Sequence, residues 1–416
     1  MTATALLRPD RAFVEALVAS GGGDVKKCFQ CATCSVVCEL SRDGRPFPRK
    51  EMGWAQWGLA DRLMADPDVW LCYQCDDCSK RCPRGARPGD VLAAVRRQAV
   101  RHWAVPRGLA GWVSRVRGLP PLFLAPVLLL GLALLARPAL QRALGFGAPE
   151  RGFYAAFFPH WLLIGFFSLF TGLAALGAAA GLVRFWRAMA AADRAAGAGA
   201  PAAGFGASVT RAAAEIFTHA RFGKCTRRGS RRWTHLLAFY GFAALFVVTV
   251  YAVLDLYVFP LLGHPSTYPF GELHPMKLLA NLGAVLLVVG AVKALVERRG
   301  AASEARSGAG PGGGVSTAFD WIFVWTLLAV GVTGLLTEVV RLVAEPAAAT
   351  GGAGALPLTD AAFGVYFVHL ALVFTLLVYL PYSKFAHLLY RTVALVYAER
   401  TGRFGPAAHP QPSARA

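Results

Sequence analysis

Eight of the nine cysteines fall into two copies of one pattern, C-x2-C-x2-C-x3-C: Cys28, Cys31, Cys34 and Cys38, then Cys72, Cys75, Cys78 and Cys82, with Pro83 after the last. Three thiolates spaced this closely let one loop wrap three irons of a [4Fe–4S] cubane. The fourth, displaced onto the following helix, ligates the other cluster in two-cluster folds. The expected sets are Cys28, Cys31, Cys34 with Cys82, and Cys72, Cys75, Cys78 with Cys38. Zinc sites use paired rather than tripled short spacings, and a cytoplasmic head opposes disulfides. Glu39, not proline, follows Cys38, a departure confined to that fourth position. Cys225, alone in a basic loop, is assigned no role.

Histidine inside a bilayer is costly and is a natural axial ligand for haem iron. His369 and His387 lie in the last apolar stretch, 18 residues apart. On one continuous helix that is about five turns, one face and about 27 Å, nearly the hydrocarbon thickness. The expectation is one helix serving two b haems, His387 paired with His235 on the cytoplasmic side and His369 with His274 on the periplasmic side. His160 is the rival of His274, and His219 of His235. The plainer reading of any one such histidine is a satisfied hydrogen-bonding group.

Quinone chemistry couples two electrons to two protons and needs titratable groups beside an apolar slot. Asp255, Glu272, Lys277, Glu338 and Arg341 gather near the periplasmic span ends. Lys277, Glu272 and Glu338 are the candidate quinone and proton residues, with Lys277, three residues from His274, foremost. Interfacial snorkelling is the alternative, above all for Asp255 and Arg341.

These residues need elements to hold them. The chain has 416 residues, 56% hydrophobic and 16% charged, with a mean hydropathy of +0.46. That is too apolar for a soluble domain alone. Residues 1–105 read as a helical head, with an amphipathic stretch Arg11 to Ala19 and a polar helical segment around Pro48 to Met64 carrying Trp54, Trp57 and Leu63 at helical spacing. Six apolar stretches follow within 106–401, about 119–136, 160–183, 234–258, 275–296, 318–342 and 362–388, each near the length that crosses a bilayer. Lys293 cuts the fourth short. Ala190 to Ser208 and Arg298 to Gly314 read as flexible linkers, and 402–416 as a disordered tail.

The net charge of +19 raises nucleic acid as a partner, but the arginines flank apolar spans as in cytoplasmic loops. Ten Lys and Arg lie from Arg184 to Arg232, four from Lys293 to Arg306 and five from Lys384 on, against three, one and none in the alternate loops. The basic loops belong inside, so both termini and the cysteine head are expected in the cytoplasm of a multi-pass inner-membrane protein. No apolar leader precedes the first cysteine motif.

The segments Lys27 to Cys38 (KCFQCATCSVVC), Pro46 to Trp57 (PFPRKEMGWAQW) and Trp70 to Asp90 (WLCYQCDDCSKRCPRGARPGD) resemble the C subunits of quinone-interacting membrane-bound oxidoreductase complexes. That family is similar to a fusion of the C and E subunits of heterodisulfide reductase, its membrane half to the nitrate reductase gamma subunit. In the membrane half the resemblance rests on Arg232 to His235, Phe239 to Phe242, His274 to Lys277, and His369 with Pro381 to His387. It implies two b haems, menaquinone as carrier, and flavin and Fe–S partner subunits similar to the A subunit of heterodisulfide reductase. It also implies a link to adenylylsulfate reductase in dissimilatory sulfur metabolism.

The expectation is thus an all-α protein: a helical dicluster ferredoxin domain followed by a six-helix transmembrane cytochrome b bundle, passing electrons between the quinone pool and cytoplasmic partners. No G-x-G-x-x-G fingerprint supplies a nucleotide or flavin site, so no complete soluble-substrate site is expected on this chain. The rivals are a haem-free membrane anchor with an iron–sulfur head, and the membrane subunit of a heterodisulfide-reductase-like complex, whose cysteine-rich catalytic repeats would have to come from a partner.

Overall fold

In the computed structural model the described residues are 7–113, 116–145, 152–221, 229–307, 317–351 and 354–404; Cys225 lies outside them. The chain is 78% helical and, among the described residues, forms no sheet, as expected for an all-α protein.

The head is built from short helices around two loops. They are α1 (Arg11–Leu17), α2 (Thr33–Val36), α3 (Arg49–Gln56), α4 (Ala60–Met64), α5 (Asp68–Leu71), α6 (Asp77–Lys80) and α7 (Pro88–Trp103). Asp10 caps α1 by accepting from the Phe13 N–H at 2.9 Å. Pro88 opens α7, where its missing N–H costs nothing. The segment Pro48 to Met64 is two helices rather than one. Gly58 parts them at φ +65, where a Cβ would sit 2.6 Å from the Asp10 carbonyl.

After α8 (Arg107–Val113) come α9 (Leu119–Leu144), α10 (His160–Ala195), α11 (Phe205–Thr218), α12 (Gly229–Val253), α13 (Pro275–Ser307), α14 (Ala318–Thr350), α15 (Ala355–Tyr379) and α16 (Ala386–Arg400). Among the described residues six stretches are long and apolar enough to cross a membrane: Pro120–Leu144, His160–Ala195, Arg231–Val258, Pro275–Gly300, Ala318–Thr350 and Ala355–Tyr382. Helices α12 to α15 pack each on the next, and α9 and α10 lie against α15. Gly241 lets α12 and α13 close, since a Cβ there would meet the Leu287 amide nitrogen at 2.5 Å.

Several bounds differ from the expected ones. Lys293 does not end the fourth span: it pairs with Glu297 at 3.5 Å, and α13 runs on to Ser307. The first Ala/Gly-rich stretch is helical over about half its length, with α10 reaching Ala195 and α11 starting at Phe205, as alanine's helix propensity favours; 196–204 join them without a helix. The main correction concerns the last span. It stops at Tyr379, passes through a short turn Leu380–Tyr382, and restarts as α16 only at Ala386. Pro381 supplies no N–H, and Ser383 is extended at φ −95, ψ 178. His369 and His387 therefore do not share one helix; His387 sits in the first turn of α16, beyond the span.

Helix α16 leaves the bundle and enters the head, whose core is continuous with the bundle's near ends. Trp70 stacks on Tyr390 at 5.1 Å and meets Phe185 edge-on at 6.3 Å, and Trp103 lies 5.8 Å from Phe185. Gly181 permits this closeness, because a Cβ on it would lie 2.7 Å from the Trp103 carbonyl.

A buried ion cluster clamps the same junction. Lys50 reaches Glu51 at 3.1 Å, Asp66 at 3.2 Å and Asp68 at 3.1 Å, while Arg403 reaches Asp68 at 3.1 Å and Asp193 of α10 at 2.8 Å. Burial alone would push Asp68 up, but Arg403 and Lys50 outweigh it and hold its carboxyl below the usual range. Gly402 to Phe404, counted with the tail from sequence, thus belong to the fold; residues 405–416 lie outside the described ones.

Arg403→Ala takes from Asp193 its buried cation and leaves Asp68 with Lys50 alone among the described residues. The expected loss is about 3–5 kcal/mol, read as a lowered thermal midpoint and faster proteolysis of the head in detergent; an unchanged midpoint would show the clamp to be idle.

Candidate functional site: two cysteine loops and a histidine cavity

The two cysteine loops share one backbone shape. In each, the second and fourth residues after the first cysteine are left-handed: Gln30 (φ 59) and Ala32 (φ 69), then Gln74 (φ 56) and Asp76 (φ 69). Non-glycine residues take this conformation at a cost of about 1–2 kcal/mol each. Its repetition at matching positions marks a shape retained for a purpose. Such turns aim amide N–H groups into a concavity suited to an anionic group, and the Gln74 N–H points at the Cys72 sulfur at 3.3 Å. Gln56 of α3 braces the first loop, donating to the Cys28 carbonyl at 2.6 Å.

The fourth cysteines cross over. The cavity lined by Cys28, Cys31 and Cys34 is also lined by Cys82, with Arg49 and Arg84 beside it. Cys38 has Cys72, Cys78 and Cys75 as its electrostatic neighbours; burial first, then those sulfurs, raises its thiol well above the ordinary value. Burial, with Cys28 next, pushes Cys34 up to about 11. Exposed Cys31 is lowered, chiefly by a hydrogen bond from Thr33. Gathered sulfurs that resist bearing charge alone suit a cationic iron core, whose binding displaces their protons.

Head and bundle meet at a cavity of about 100 Å³ lined by Tyr73, Glu215, His219, His235, His387 and Arg391 among others. The His235 and His387 rings lie 6.3 Å apart, centre to centre. His387 Nδ1 meets the Lys384 carbonyl at 2.6 Å, and His235 Nδ1 meets His219 Nε2 at 2.8 Å. Each ring is thereby oriented to offer Nε2, the arrangement that fixes metal-binding histidines. Burial keeps His387 neutral, lowering it to about 4, and lowers His219 as well. The donor set suits a bis-imidazole haem, although the cavity is smaller than the roughly 300–1,000 Å³ typical of ligand pockets.

Arg391 joins this cavity to the second cysteine loop. Its guanidinium donates to the carbonyls of Trp70 at 3.0 Å and Cys72 at 3.2 Å, and lies 4.2 Å from the Tyr73 ring centre. Sequence reasoning missed Arg391, Tyr73 and Glu215. The available signal for Arg391 was its place four residues after His387, one turn along the same face.

The remaining candidates occupy the far end of the bundle. His369 Nδ1 lies 3.0 Å from Thr333 Oγ1, with its ring against Gly334 of α14. His274 instead accepts from the Met276 N–H at 3.2 Å and stacks on Phe270 at 4.5 Å. Among the described residues no ring contact joins His274 to His369. His160 lies edge-on to Tyr268 at 5.2 Å. Lys277 is ion-paired with Glu338; Arg341 bridges Glu272, Glu338 (3.2 Å) and Glu345 (2.6 Å). Asp255 ties down a loop, accepting from Ser266, Thr267 and Tyr268.

Residues 24–86 match the family model of the 4Fe-4S dicluster domain. Over 92 residues the chain is 36% identical to the C subunit of the H(2):CoB-CoM heterodisulfide,ferredoxin reductase of Methanothermobacter marburgensis, covering 22% of this chain and 50% of that protein. It is 37% identical over 79 residues to a protein of Archaeoglobus profundus described as like the C subunit of heterodisulfide reductase, covering 19% and 42%. Over 82 residues it is 37% identical to the C subunit of the ferredoxin:CoB-CoM heterodisulfide reductase of Methanosarcina mazei, covering 20% and 50%. The chain thus spans about half the length, or less, of these curated relatives. No solved structure matches it. The head carries the 4Fe-4S dicluster domain and is similar to the C subunit of heterodisulfide reductase; among the described residues six long apolar helices follow.

In metal-free protein at pH 8, Cys31 is expected to be alkylated first. Cys34 and Cys38 should react slowly until the pH nears the value to which burial has pushed Cys34, about 11. Peptide mapping after timed iodoacetamide treatment checks the order, and equal rates at all three would refute it.

Proposed function

We propose that this chain is a membrane electron-transfer subunit that exchanges electrons between the quinone pool and soluble redox partners. The observation that carries the reading is the junction: two facing histidines in a cavity that Arg391 and Tyr73 share with the second cysteine loop. A wet head and a lipid-embedded bundle are thus joined at the point where both hold metal-ligand side chains.

Cys28, Cys31, Cys34 and Cys82 would hold one [4Fe–4S] cluster, and Cys72, Cys75, Cys78 and Cys38 the other. His235 and His387, with ring centres 6.3 Å apart, would hold a b haem. His369, oriented by Thr333, supplies the fixed ligand of a second haem site. Bound there, these groups supply one-electron chemistry. The chain's own residues hold the ligands at set depths and keep His387 neutral.

At the far end Lys277, Glu338 and Glu272 form one ion-paired network through Arg341, beside apolar helix faces. That is the setting for menaquinone, whose reduction or oxidation moves protons with its electrons. The excess of Lys and Arg in alternate loops supports a cytoplasmic head. The partners fitting this reading are flavin and Fe–S proteins resembling the A subunit of heterodisulfide reductase, with adenylylsulfate reductase as the distal partner in dissimilatory sulfur metabolism. They rest on the resemblance to the C subunits of quinone-interacting oxidoreductase complexes.

The test is a reduced-minus-oxidised optical spectrum with electron paramagnetic resonance of the same purified chain. His387→Ala or His235→Ala should remove the junction haem's share of the b-type band, and His369→Ala the other share, all leaving both cluster signals intact. A wild-type chain without any b-type band would instead favour a haem-free anchor.

A further inference from the structure

The two cysteine loops have the same backbone and opposite surroundings. Position by position, Phe29 answers to Tyr73, Gln30 to Gln74 and Ala32 to Asp76. The second loop is covered: the Tyr73 hydroxyl donates to Glu215 at 2.6 Å, the Gln74 carbonyl accepts from Arg231 at 3.1 Å, and Asp76 is only 4% exposed. The first loop is open. Phe29 is 65% exposed, Val36 on α2 is 79% exposed, and Cys31 also faces solvent.

Wrapping three cysteines does not require this exposure, since Tyr73 occupies the equivalent position with its ring covered. The charge around the open loop is mostly positive. Within residues 26–39 and 80–87 the exposed charged side chains are Lys26, Lys27, Arg81 and Arg84, against Glu39 alone. Lys27 is paired with Asp24 at 2.8 Å, and the Arg84 guanidinium lies 4.1 Å from the Phe29 ring centre. The cavity beneath is lined by head residues only, on the loop that makes no part of the histidine cavity. An apolar centre with a cationic rim at a redox loop is the form of a small, transient, electrostatically steered interface.

We propose that the first-loop face, centred on Phe29 and Val36 and rimmed by Lys26, Arg81 and Arg84, docks an acidic electron-transfer protein. This rests on the reading of the head as an iron–sulfur module. In the productive complex one electron passes between the partner's redox group and a head cluster, one losing what the other gains, with no covalent bond formed or broken.

The probe is flavodoxin, a small acidic flavin carrier, isotopically labelled and oxidised, titrated with the full chain in neutral-lipid nanodiscs and followed by its amide resonances. Lys26→Glu combined with Arg84→Glu should weaken binding about tenfold or more at low ionic strength and have little effect at high salt. Phe29→Ser should weaken it at both. Arg62→Glu, an exposed charge reversal on α4, should leave it unchanged.

Unchanged binding in the first-loop variants, or an equal loss in Arg62→Glu, would overturn the proposal. So would binding of the face to added anionic vesicles, abolished by Phe29→Ser, while flavodoxin is ignored. Spectra of the same samples separate the two failures. Cluster signals present with indifferent flavodoxin binding sink the docking face alone, whereas missing cluster signals sink the iron–sulfur reading and the docking face with it.

Discussion

Helix α5 ends with carbonyls that no further helical turn can satisfy, and Arg391 satisfies them. Its guanidinium takes the Trp70 and Cys72 carbonyls together, while the aromatic cluster of Trp70, Phe185 and Tyr390 shuts water out beside it. A charge so placed keeps its value only if the carbonyl dipoles stay where they are, and those carbonyls hold their place partly because the charge is there. The second cysteine loop begins at Cys72. Its position relative to the histidine cavity is therefore set by this contact rather than by a tether. An electron-transfer chain needs such fixity more than it needs tight binding of anything, because its centres must stay at set separations through every turnover.

The break in the last membrane helix serves the same end. Had α15 run straight through Pro381, residues 386–400 would have continued along the bundle axis, away from α5 and α11. The turn at Leu380–Tyr382 redirects the chain, so that one short helix carries His387, Tyr390, Arg391 and Tyr397 into the head. Arg403 then closes the arrangement against Asp68 and Asp193. Head and bundle are fused by burial on three elements, α7, α10 and α16, which explains why no flexible linker separates them near residue 105.

Duplication of one loop shape with divergent surroundings gives the head a direction. The same left-handed positions hold each trio of cysteines, yet Tyr73 and Gln74 are spent on internal hydrogen bonds while Phe29 is left in solvent. At the other extreme of the molecule, the charges between α13 and α14 neutralise one another in a chain of ion pairs from Lys277 to Glu345. In a low-dielectric setting such pairing is what permits carboxylates to stay there at all.

Local rules made much of this readable in the sequence. Cysteine spacing announced the two loops, because a cubane demands thiolates within one turn of chain, and runs of about 20 apolar residues announced six crossings, because backbone polar groups in lipid must pair within the helix. The exchange of Cys38 and Cys82 between the two sets was expected from the two-cluster pattern, and the structure brings each of them beside the other trio. What the sequence left open depended on non-local packing. The 18-residue interval between His369 and His387 promised one helix face only if the helix continued, and the loss of an N–H at Pro381 ended it. Lys277, Glu272, Glu338 and Arg341 were grouped from sequence, but which of them pair was set by the packing of α13 on α14. Arg391 and Glu215 carried no motif at all, since their part in the cavity arises from which helix ends meet. Spacing along the chain is set by covalent geometry and so is legible early; which distant side chains neutralise, orient or expose one another is a property of packing, and only the tertiary structure decided it.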